Sequence, residues 1–477
     1  MDPLAEQHQH QIHPAVRAAA EQQQWANLCS QYLPVEMANS DWKYSRPYTS
    51  DDLSQGWKLH IAATILSANN ILETIAPVLK DRDVLFKGPT SLEELQKLNS
   101  GLHYGYGQVG KFITVYPRSA REARSLARKL DELTRGVPAP AVPFDFRYRQ
   151  DSCVFYRYGA FKLIMIDGEE GLQVPALRDP EGKLVPDPKY AGSAKPGWVP
   201  PLFKSNEVRQ EIKRASPLAT TFRVFQSLSQ RGKGGVYKAI DFSQNQPRLC
   251  LLKEGRQSGE TSWDGRDGKW LVKREEEVLR SLSAAGVPVS AVYDSFELNN
   301  NQYLVTEFVE GETLETVLKK RYRRLRMNRA LSYAAELASL LAGIHAAGWV
   351  WRDCKPANIL VTRSGTLRPI DFEGAWPVNG SDARLWTTSD FYPTTARDMP
   401  GPQADLYAFA IVIYYLLTGR LPEENGEVRL RQLRRNVPES IFVLVDQLLR
   451  PDNRLDSATV LRQLERVVDE ERVPHTF

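Results

Sequence analysis

The 477-residue chain has only four cysteines, and their scarcity excludes two kinds of scaffold. They are scattered singly, without the spacing that a disulfide framework or a structural zinc site requires. The net charge of +4 is near balance for this length and does not indicate a nucleic-acid-binding protein. No apolar run is long enough to span a bilayer, and the N-terminus lacks the apolar core of a secretory signal. We therefore expect a cytoplasmic protein that binds neither nucleic acid nor membrane.

Two polar segments, beginning at Trp351 and at Asp371, have the residues that phosphoryl transfer requires. This reaction needs one carboxylate to accept the hydroxyl proton, and a second carboxylate with an amide to hold magnesium. We predict Asp353 as the base and Asn358 and Asp371 as the Mg²⁺ ligands. Lys355, two residues after the base, can reach the transferring phosphate.

This spacing resembles the catalytic loop and metal-binding aspartate of protein kinases. The resemblance implies ATP, or another nucleoside triphosphate, as the phosphate donor. Glycines between two β-rich runs would let backbone N–H groups approach its phosphates closely. The residues that match the nucleotide-binding positions of kinases are Gly232, Gly234 and Gly235 in the loop, Lys253 on a strand, Glu275 on a helix and Glu307 in the hinge.

Three departures from the kinase pattern affect regulation and substrate docking rather than chemistry. Trp351 stands where a histidine is usual, Glu373 alters the Asp-Phe-Gly pattern, and residues 391–393 stand where Ala-Pro-Glu is expected. The residues that carry the chemistry are intact, so we predict an active kinase rather than a pseudokinase. They are Lys253, Asp353, Lys355, Asn358 and Asp371.

The N-terminal half places several cations on predicted strands. Alternation along a strand puts Lys58 and His60 on one face, and a second strand ends in Lys87. A third strand, residues 110–117, contains Lys111 and Tyr116. Arginines interleaved with tyrosines follow at Arg147, Arg149 and Arg157. Such a set suits the binding of a phosphate group.

The order Gly-Trp-Lys-x-His, Phe-Lys, Gly-Lys-Phe-Ile-Thr-Val-Tyr-Pro and Tyr-Arg-Tyr-Gly resembles the lyase domain of class III and class IV lanthipeptide synthetases. In those enzymes a kinase follows the lyase, as here. The resemblance implies a two-step dehydration of a ribosomally made precursor peptide that carries a leader. The kinase would phosphorylate Ser or Thr, and the lyase would then eliminate phosphate to leave dehydroalanine or dehydrobutyrine.

The resemblance also implies a role for each residue of the lyase. Lys87 would be the base that takes the α-proton, with Lys58 lowering its proton affinity by like-charge repulsion, and His60 would be the acid. Tyr116 would lie near the reacting carbon. The residues that would hold the phosphate are Arg147, Arg157, Arg149 and Lys111.

One position departs from the lyase pattern. The family usually has an arginine ten residues before the tyrosine of the third strand, whereas this chain has Tyr106. Phosphate binding is then expected to depend on Lys111 or on the later arginines.

Class III and class IV synthetases also continue into a cyclase domain. No Cys-His-Gly run occurs in this chain, so ring closure is not assigned to its residues. The cyclase would then be a separate protein, or these residues belong to a longer chain, or the product keeps its dehydroamino acids.

Two other function classes remain open. One is a regulatory Ser/Thr kinase whose N-terminal domain binds phosphopeptides, which Tyr106 favours. The other is a scaffold of two inactive enzymes, which the intact kinase residues disfavour.

The sequence thus predicts an α+β multidomain protein, in which a phosphothreonine-lyase-like α+β domain precedes a bilobal protein-kinase-like domain. The expected parts are a polar, mobile leader (1–24), the lyase-like domain (25–166), a Pro/Gly-rich connector (167–205) and the kinase-like domain (206–477).

Overall fold

The computed structural model describes residues 14–37, 40–162, 164–168, 172–187, 190–204, 216–320, 325–380, 391, 401–422 and 430–472. The chain divides into two compact units. The first comprises residues 1–237, 253–270 and 297–303, and the second comprises residues 238–252, 271–296 and 304–477. Three short segments of the predicted kinase-like domain therefore belong to the first unit.

The first described element is a helix, α1 (Pro14–Tyr32), in part of the expected mobile leader. Its buried residues are Trp25, Leu28 and Cys29, spaced three and four apart along one face. The Trp25 ring lies 5.4 Å from that of Phe112, between centroids. Residues 14–24 therefore begin a helix that packs into the core, and the rest of the expected leader lies outside the described residues.

A seven-stranded antiparallel sheet is the centre of the first unit. Its strands are β1 (Val35–Glu36), β2 (Trp42–Tyr44), β3 (Gln55–Ile61), β4 (Leu85–Pro89), β5 (Ile113–Tyr116), β6 (Phe146–Arg147) and β7 (Val154–Ala160). Their order is β1-β2-β4-β5-β3-β7-β6. Three helices connect the inner strands: α2 (Ala68–Asp81), α3 (Leu92–Ser100) and α4 (Ala120–Leu133).

Local sequence explains where the connecting helices begin and which face they bury. The Ser91 hydroxyl accepts the Glu94 N–H at the start of α3, and Ser119 does the same for Glu122 in α4. The apolar residues of α4 recur at helical spacing and are buried; they are Ala123, Leu126, Ala127 and Leu130. They share one core with the inward side chains of β3, β4, β5 and β7.

The predicted connector contains regular structure. A three-stranded antiparallel sheet has the order β10-β9-β8, and its strands are β8 (Met165–Asp167), β9 (Gln173–Arg178) and β10 (Leu184–Pro186).

A short helix, α5 (Pro217–Thr220), leads into a five-stranded sheet of order β11-β12-β13-β15-β14. Its strands are β11 (Phe222–Gln230), β12 (Gly234–Asp241), β13 (Arg248–Gly255), β14 (Val292–Leu298) and β15 (Asn301–Glu307), with helix α6 (Gly268–Ala284) after β13. The predicted strand before Lys253 and helix at Glu275 correspond to β13 and α6.

The rest of the second unit is mainly helical. Its helices are α7 (Leu314–Lys320), α8 (Met327–Ala346), α9 (Gly401–Thr418), α10 (Leu430–Leu433), α11 (Glu439–Leu448) and α12 (Ser457–Arg472). Short strands lie between α6 and α9, namely β16 (Gly311–Thr313), β17 (Trp349–Val350), β18 (Ile359–Thr362), β19 (Leu367–Pro369) and β20 (Trp376–Pro377). The apolar residues of α9 are buried, and this helix packs against α8 and α11. Within the ranges given above, no helix combines the length and apolarity needed to cross a membrane.

Candidate functional site

One row of paired residues crosses the seven-stranded sheet and brings predicted lyase residues together. Lys87 on β4 pairs with Thr114 on β5, and Thr114 pairs with His60 on β3. Directly opposite residues of an antiparallel pair point to the same face. Lys58 and Tyr116 lie two residues along their strands and therefore share that face.

The opposite face of these strands is apolar. Leu59, Ile61, Phe86 and Val115 alternate with the polar residues and are fully buried against the helices. Because the apolar face is used for packing, the polar face is the side of the sheet on which chemistry can take place.

His60 has a partner that the sequence did not predict. Its Nδ1 lies 2.5 Å from Oδ2 of Asp145, whose side chain is fully buried. The other oxygen of Asp145 is 3.7 Å from Nζ of Lys111 and accepts no hydrogen bond from the described residues. Such a carboxylate fixes the imidazole tautomer and ring orientation. The available signal was an acidic residue two positions before Arg147 in a loop, which alone indicates nothing.

Burial dominates the electrostatics of this pair. It lowers the pKa of His60 to about 4, although Asp145 opposes the shift. Burial acts to raise the pKa of Asp145, but His60 and Lys111 together lower it below its ordinary value. At neutral pH the pair is therefore a neutral imidazole that donates its Nδ1–H to a carboxylate.

The two lysines of the polar face have different surroundings. Burial, with the positive charges of Arg157 and Lys87, lowers the pKa of Lys58 to about 7. The ammonium of Lys87 instead lies 4.5 Å from the ring centroid of Trp42 and 5.8 Å from that of Tyr44. Aromatic faces stabilise a cation, so the structure gives Lys87 aromatic support and makes Lys58 the lysine that titrates near neutrality.

Two predicted phosphate-binding arginines lie on strands beside the row. Arg147 on β6 pairs with Phe155 of β7, which itself pairs with His60, and its guanidinium lies 4.9 Å from the Phe155 ring centroid. Arg157 pairs in register with Lys58. Arg157 is buried, and its guanidinium binds the carboxylate of Asp187 at 2.6 Å, so it already has an anionic partner.

Arg149 and Tyr116 have structural partners as well. Arg149 binds the buried carboxylate of Asp131, 2.6 Å away on α4, which packs against the apolar face of the sheet. Its predicted contact with phosphate would require it to leave that partner. Tyr116 is buried beside Phe161, with ring centroids 5.0 Å apart, and burial raises its pKa well above the ordinary value. It therefore remains a protonated phenol.

In the second unit, the predicted catalytic loop forms one hydrogen-bonded cluster. Nζ of Lys355 lies 2.8 Å from Oδ1 of Asp353, and the amide nitrogen of Asn358 donates to Oδ2 of Asp353 at 2.6 Å. Burial raises the pKa of Asp353, Lys355 opposes the shift, and the charge of Asp371 adds to it. The cluster thus combines a base of raised proton affinity with a cation beside it.

Trp351, which replaces the usual histidine, links the two kinase motifs. Its ring stacks on Phe372 with centroids 5.5 Å apart, and its indole N–H donates to the carbonyl of Asp371 at 3.2 Å. Its backbone N–H donates to the Asp405 carboxylate at 2.7 Å, and Glu275 accepts the Phe372 N–H at 3.4 Å. The substitution therefore keeps the catalytic loop in contact with the aspartate segment.

The predicted metal ligands suit a hard cation. No group of three or more His, Cys, Asp or Glu side chains arranged to hold a metal occurs in the described part of the chain. Mg²⁺ accepts one or two carboxylate or amide oxygens and keeps several waters. Asn358 uses its amide nitrogen on Asp353, which leaves the amide oxygen as an acceptor. The amide oxygen of Asn358 and the carboxylate of Asp371 therefore fit this ion.

The glycine-rich loop, in the first unit, requires glycine for close backbone packing. A Cβ on Gly234 would lie 1.7 Å from the Glu254 carbonyl oxygen, and one on Gly232 would lie 1.6 Å from the Asn99 carbonyl oxygen. The Gly232 N–H donates to the carbonyl of Ser100 at 3.0 Å. In this structure Gly232 thus binds the end of α3, and its contact with nucleotide phosphate stays a prediction.

The remaining predicted nucleotide-binding residues lie on regular elements. Gly235 is at the start of β12, and Lys253 is near the end of β13. Glu307 ends β15, and its N–H donates to the Ala291 carbonyl at 2.8 Å.

A large cavity lies within the first unit. Its volume is about 1470 Å³, above the range of about 300–1,000 Å³ that small-molecule sites occupy. Asp145 and Arg147 line it, as do Tyr106, Tyr237 and Arg256. A cavity of this size beside Asp145 can accommodate a peptide chain.

Two family models match successive parts of the chain. Residues 33–214 match the family described as the N-terminal domain of RamC, and residues 222–468 match the protein kinase domain.

One similar protein matches over both parts of the chain, and others match over about half of it. A probable SapB synthase of Streptomyces coelicolor is 31% identical over 401 residues, which are 80% of this chain and 42% of that protein. A probable serine/threonine-protein kinase of Clostridium acetobutylicum is 25% identical over 275 residues, 52% of this chain and 40% of the relative. A probable PknB kinase of Lactococcus lactis is 26% identical over 234 residues, 47% of this chain and 36% of the relative. The chain thus spans about two fifths of the length of the curated relatives it matches.

The kinase match covers more than half of the chain, and such a domain implies the use of ATP and a divalent metal ion. The two matches also bear out the expected order of an N-terminal domain followed by a kinase. The chain therefore belongs to the protein kinase family and joins its kinase domain to a RamC-type N-terminal domain.

Proposed function

We propose that this protein dehydrates Ser and Thr residues of a ribosomally made precursor peptide by phosphorylating them and then eliminating the phosphate. One observation carries the proposal: Lys87 and His60 are in register on the polar face of a sheet that precedes a kinase domain, with Asp145 behind His60. The similarity to a probable SapB synthase, which extends over both parts of the chain, supports it.

In the first step, Asp353 accepts the proton of the substrate hydroxyl as this oxygen attacks the γ-phosphorus. Its raised pKa suits it to hold that proton. The ammonium of Lys355, 2.8 Å from Asp353, stabilises the charge on the transferring phosphoryl group. Asn358 and Asp371 would hold Mg²⁺, which neutralises phosphate charge when it is bound.

In the second step, a lysine of the polar face takes the α-proton of the phosphorylated residue. The electrons of the Cα–H bond form the Cα=Cβ double bond, and the Cβ–O bond breaks to release phosphate. His60 supplies a proton to the departing oxygen. A phosphoserine residue thus becomes dehydroalanine and one phosphate ion.

The protonation states indicate how the acid acquires its proton. His60 is neutral in the free protein at pH 7, because its pKa is about 4. A bound phosphate dianion adds negative charge to a buried site and raises the proton affinity of a neighbouring imidazole. We therefore propose that the substrate phosphate makes His60 the acid. Arg147, two strands from His60 in the same row, is the best placed of the predicted arginines to hold that phosphate.

Lys87 and Lys58 are both candidates for the base. A base must be neutral before it accepts a proton, and Lys58 is the one whose pKa is lowered to about 7. Lys87 has the position in register with His60. We propose Lys87 as the base because of this position, with Lys58 as the neighbour whose charge interacts with it.

The test is to incubate the purified chain with ATP, Mg²⁺ and the precursor peptide encoded by a neighbouring gene. The mass of the peptide is then measured by mass spectrometry. A loss of about 18 Da per reacting residue supports the dehydratase, since dehydration proceeds through a phosphorylated peptide of about +80 Da. A repeat with GTP determines which nucleotide is preferred. Unmodified peptide in every case would contradict the proposal.

A regulatory Ser/Thr kinase with a phosphopeptide-binding N-terminal domain is the second candidate. It is favoured by Tyr106 at the usual arginine position and by the engagement of Arg157 with Asp187. Under this alternative the phosphorylated peptide is stable and never loses phosphate. If dehydrated peptide forms, counting its remaining free thiols in the same assay tests whether the given chain closes rings.

A further inference from the structure

Tyr106 occupies the position where an arginine is usual in the lyase family. Its ring contacts two side chains of the first unit, those of Arg256 and Phe144. The residue begins a short 3₁₀ helix, Tyr106–Gln108, and is half-buried. The guanidinium carbon of Arg256 lies 4.9 Å from the centroid of its ring. The same ring meets that of Phe144 edge to face, with centroids 5.8 Å apart.

Arg256 binds the glycine-rich loop. It donates one hydrogen bond to the carbonyl of Arg231 at 2.8 Å and another to the side-chain oxygen of Gln230 at 2.9 Å. It also forms a salt bridge with the carboxylate of Glu254 at 2.7 Å. A guanidinium with this many fixed partners has little freedom to move unless the loop moves with it.

Phe144 directly precedes Asp145, the residue that orients His60. Its φ of 67° lies in the left-handed region, which is a strained conformation for a large side chain. Such a conformation persists only where the surroundings enforce it. The contact of the Tyr106 ring with Phe144 helps to enforce this conformation. Asp145, the residue after Phe144, binds His60 at 2.5 Å.

We propose that Tyr106 and Arg256 are positioning residues that couple the glycine-rich loop to the Asp145–His60 pair. The path runs from Arg231 to Arg256 by a hydrogen bond, to Tyr106 and Phe144 by ring contacts, and to Asp145 along the chain. Nucleotide that orders the loop then stabilises the orientation of His60 and tightens the binding of a phosphorylated peptide. The inference rests on the proposed function, because it takes the loop as the nucleotide site and the His60 face as the phosphopeptide site.

The experiment measures this coupling directly in the full chain. The probes are a non-hydrolysable ATP analogue with Mg²⁺, and a peptide whose phosphoserine is replaced by its phosphonate analogue, which cannot eliminate. Linkage requires each ligand to change the affinity of the other by the same factor. We expect the analogue to tighten peptide binding at least about fivefold in the wild-type chain, a typical lower value for coupled sites.

Tyr106→Leu and Tyr106→Phe form the matched pair of variants. The phenylalanine keeps the ring over which Arg256 lies and should retain the coupling factor. The leucine removes the ring and should reduce the factor to about one, whatever its effect on the affinity for the peptide alone, because the factor is the ratio of peptide affinities with and without the analogue in the same variant. The melting temperature should stay close to that of Tyr106→Phe. Full coupling in Tyr106→Leu, or equal loss in both variants, would overturn the proposal.

A second readout separates this inference from the proposed function. The ¹⁵N resonance of His60 Nδ1, assigned by its loss in His60→Gln, should shift when the ATP analogue binds to the wild-type chain and not to Tyr106→Leu. If dehydration fails and the resonance still shifts, the coupling stands and the chemistry does not. If dehydration occurs and the wild-type coupling factor is one, the chemistry stands and the coupling is wrong.

Discussion

Asp145 and His60 are the pair of residues on which the proposed elimination depends most. We expect Asp145→Asn to slow elimination by on the order of 10²-fold or more, because an amide does not hold the imidazole in the tautomer that the carboxylate selects. Phosphorylation should continue, so that phosphorylated peptide accumulates. The measurement is the peptide mass over time, with elimination from a synthetic phosphopeptide as the separate assay. Dehydration at the wild-type rate would remove Asp145 from the mechanism.

Two buried bases should make stability depend on pH in two separate windows. Burial lowers the pKa of His60 from its ordinary 6.5 to about 4, so between these values the unfolded chain binds the extra proton and stability falls as pH falls. The pKa of Lys58 falls from 10.5 in the unfolded chain to about 7 in the folded protein. Between these values the unfolded chain binds the extra proton, so stability rises as pH rises.

Replacing each base should flatten only its own window. We expect His60→Asn to reduce the loss of melting temperature between pH 6.5 and 4, and Lys58→Met to reduce the gain between pH 7 and 10.5. Thermal unfolding of the three proteins across both windows is the measurement. Unchanged slopes in the variants would mean that other groups cause the pH dependence.

Trp351 is expected to support the kinase step alone. Trp351→Phe keeps an aromatic ring on Phe372 and removes the indole N–H that binds the Asp371 carbonyl. A neutral hydrogen bond contributes about 1 kcal/mol, so we expect phosphorylation to slow by roughly fivefold. Elimination from a pre-phosphorylated peptide should not change. Equal slowing of both steps would show that the substitution disturbs the whole chain rather than the aspartate segment.

Among the single elements, helix α1 was not predicted from the composition of the chain. Residues 1–24 were expected to be mobile, whereas residues 14–24 belong to α1, and the next residue of this helix, Trp25, is fully buried against Phe112. Trp25→Ala should destabilise the first unit by about 3–5 kcal/mol, as for other large-to-small core changes. Trp25→Phe keeps most of the buried volume and should cost much less. Denaturant unfolding of both variants is the measurement, and equal small effects would mean that α1 is not part of the folded core.

Sequence patterns predicted the strands of the lyase face because alternation is a local signal. Lys58 and His60 are two residues apart on β3, and the structure gives them one face as expected. Asp145 could not be predicted in the same way, because a loop has no periodicity that shows where its side chains point. The partners of Arg149 and Arg157 were also hidden, since Asp131 and Asp187 are 18 and 30 residues away and such ion pairs depend on tertiary packing.

For the whole molecule, the sequence predicted the order of the two domains. It did not predict which segments of the chain form each compact unit. The motifs predicted a lyase-like part before a kinase, and the family matches confirm the order. The division into compact units instead assigns residues 253–270 and 297–303 to the first unit. Contacts such as that of Gly232 with Ser100 depend on backbone geometry that no motif encodes. The predicted limits at residues 25, 167 and 206 stay predictions.

The central claim is that one chain phosphorylates with one set of residues and eliminates with another. Asp353→Asn should fail to phosphorylate, and Lys87→Ala should stop at the phosphorylated peptide, since a missing base costs on the order of 10²–10⁴-fold. The most direct test mixes the two purified variants with ATP, Mg²⁺ and the precursor peptide, and records the peptide mass. We predict that Asp353→Asn alone leaves unmodified peptide, Lys87→Ala alone leaves adducts of about +80 Da, and the mixture restores the loss of about 18 Da per residue. A mixture that still contains only phosphorylated peptide would contradict the account.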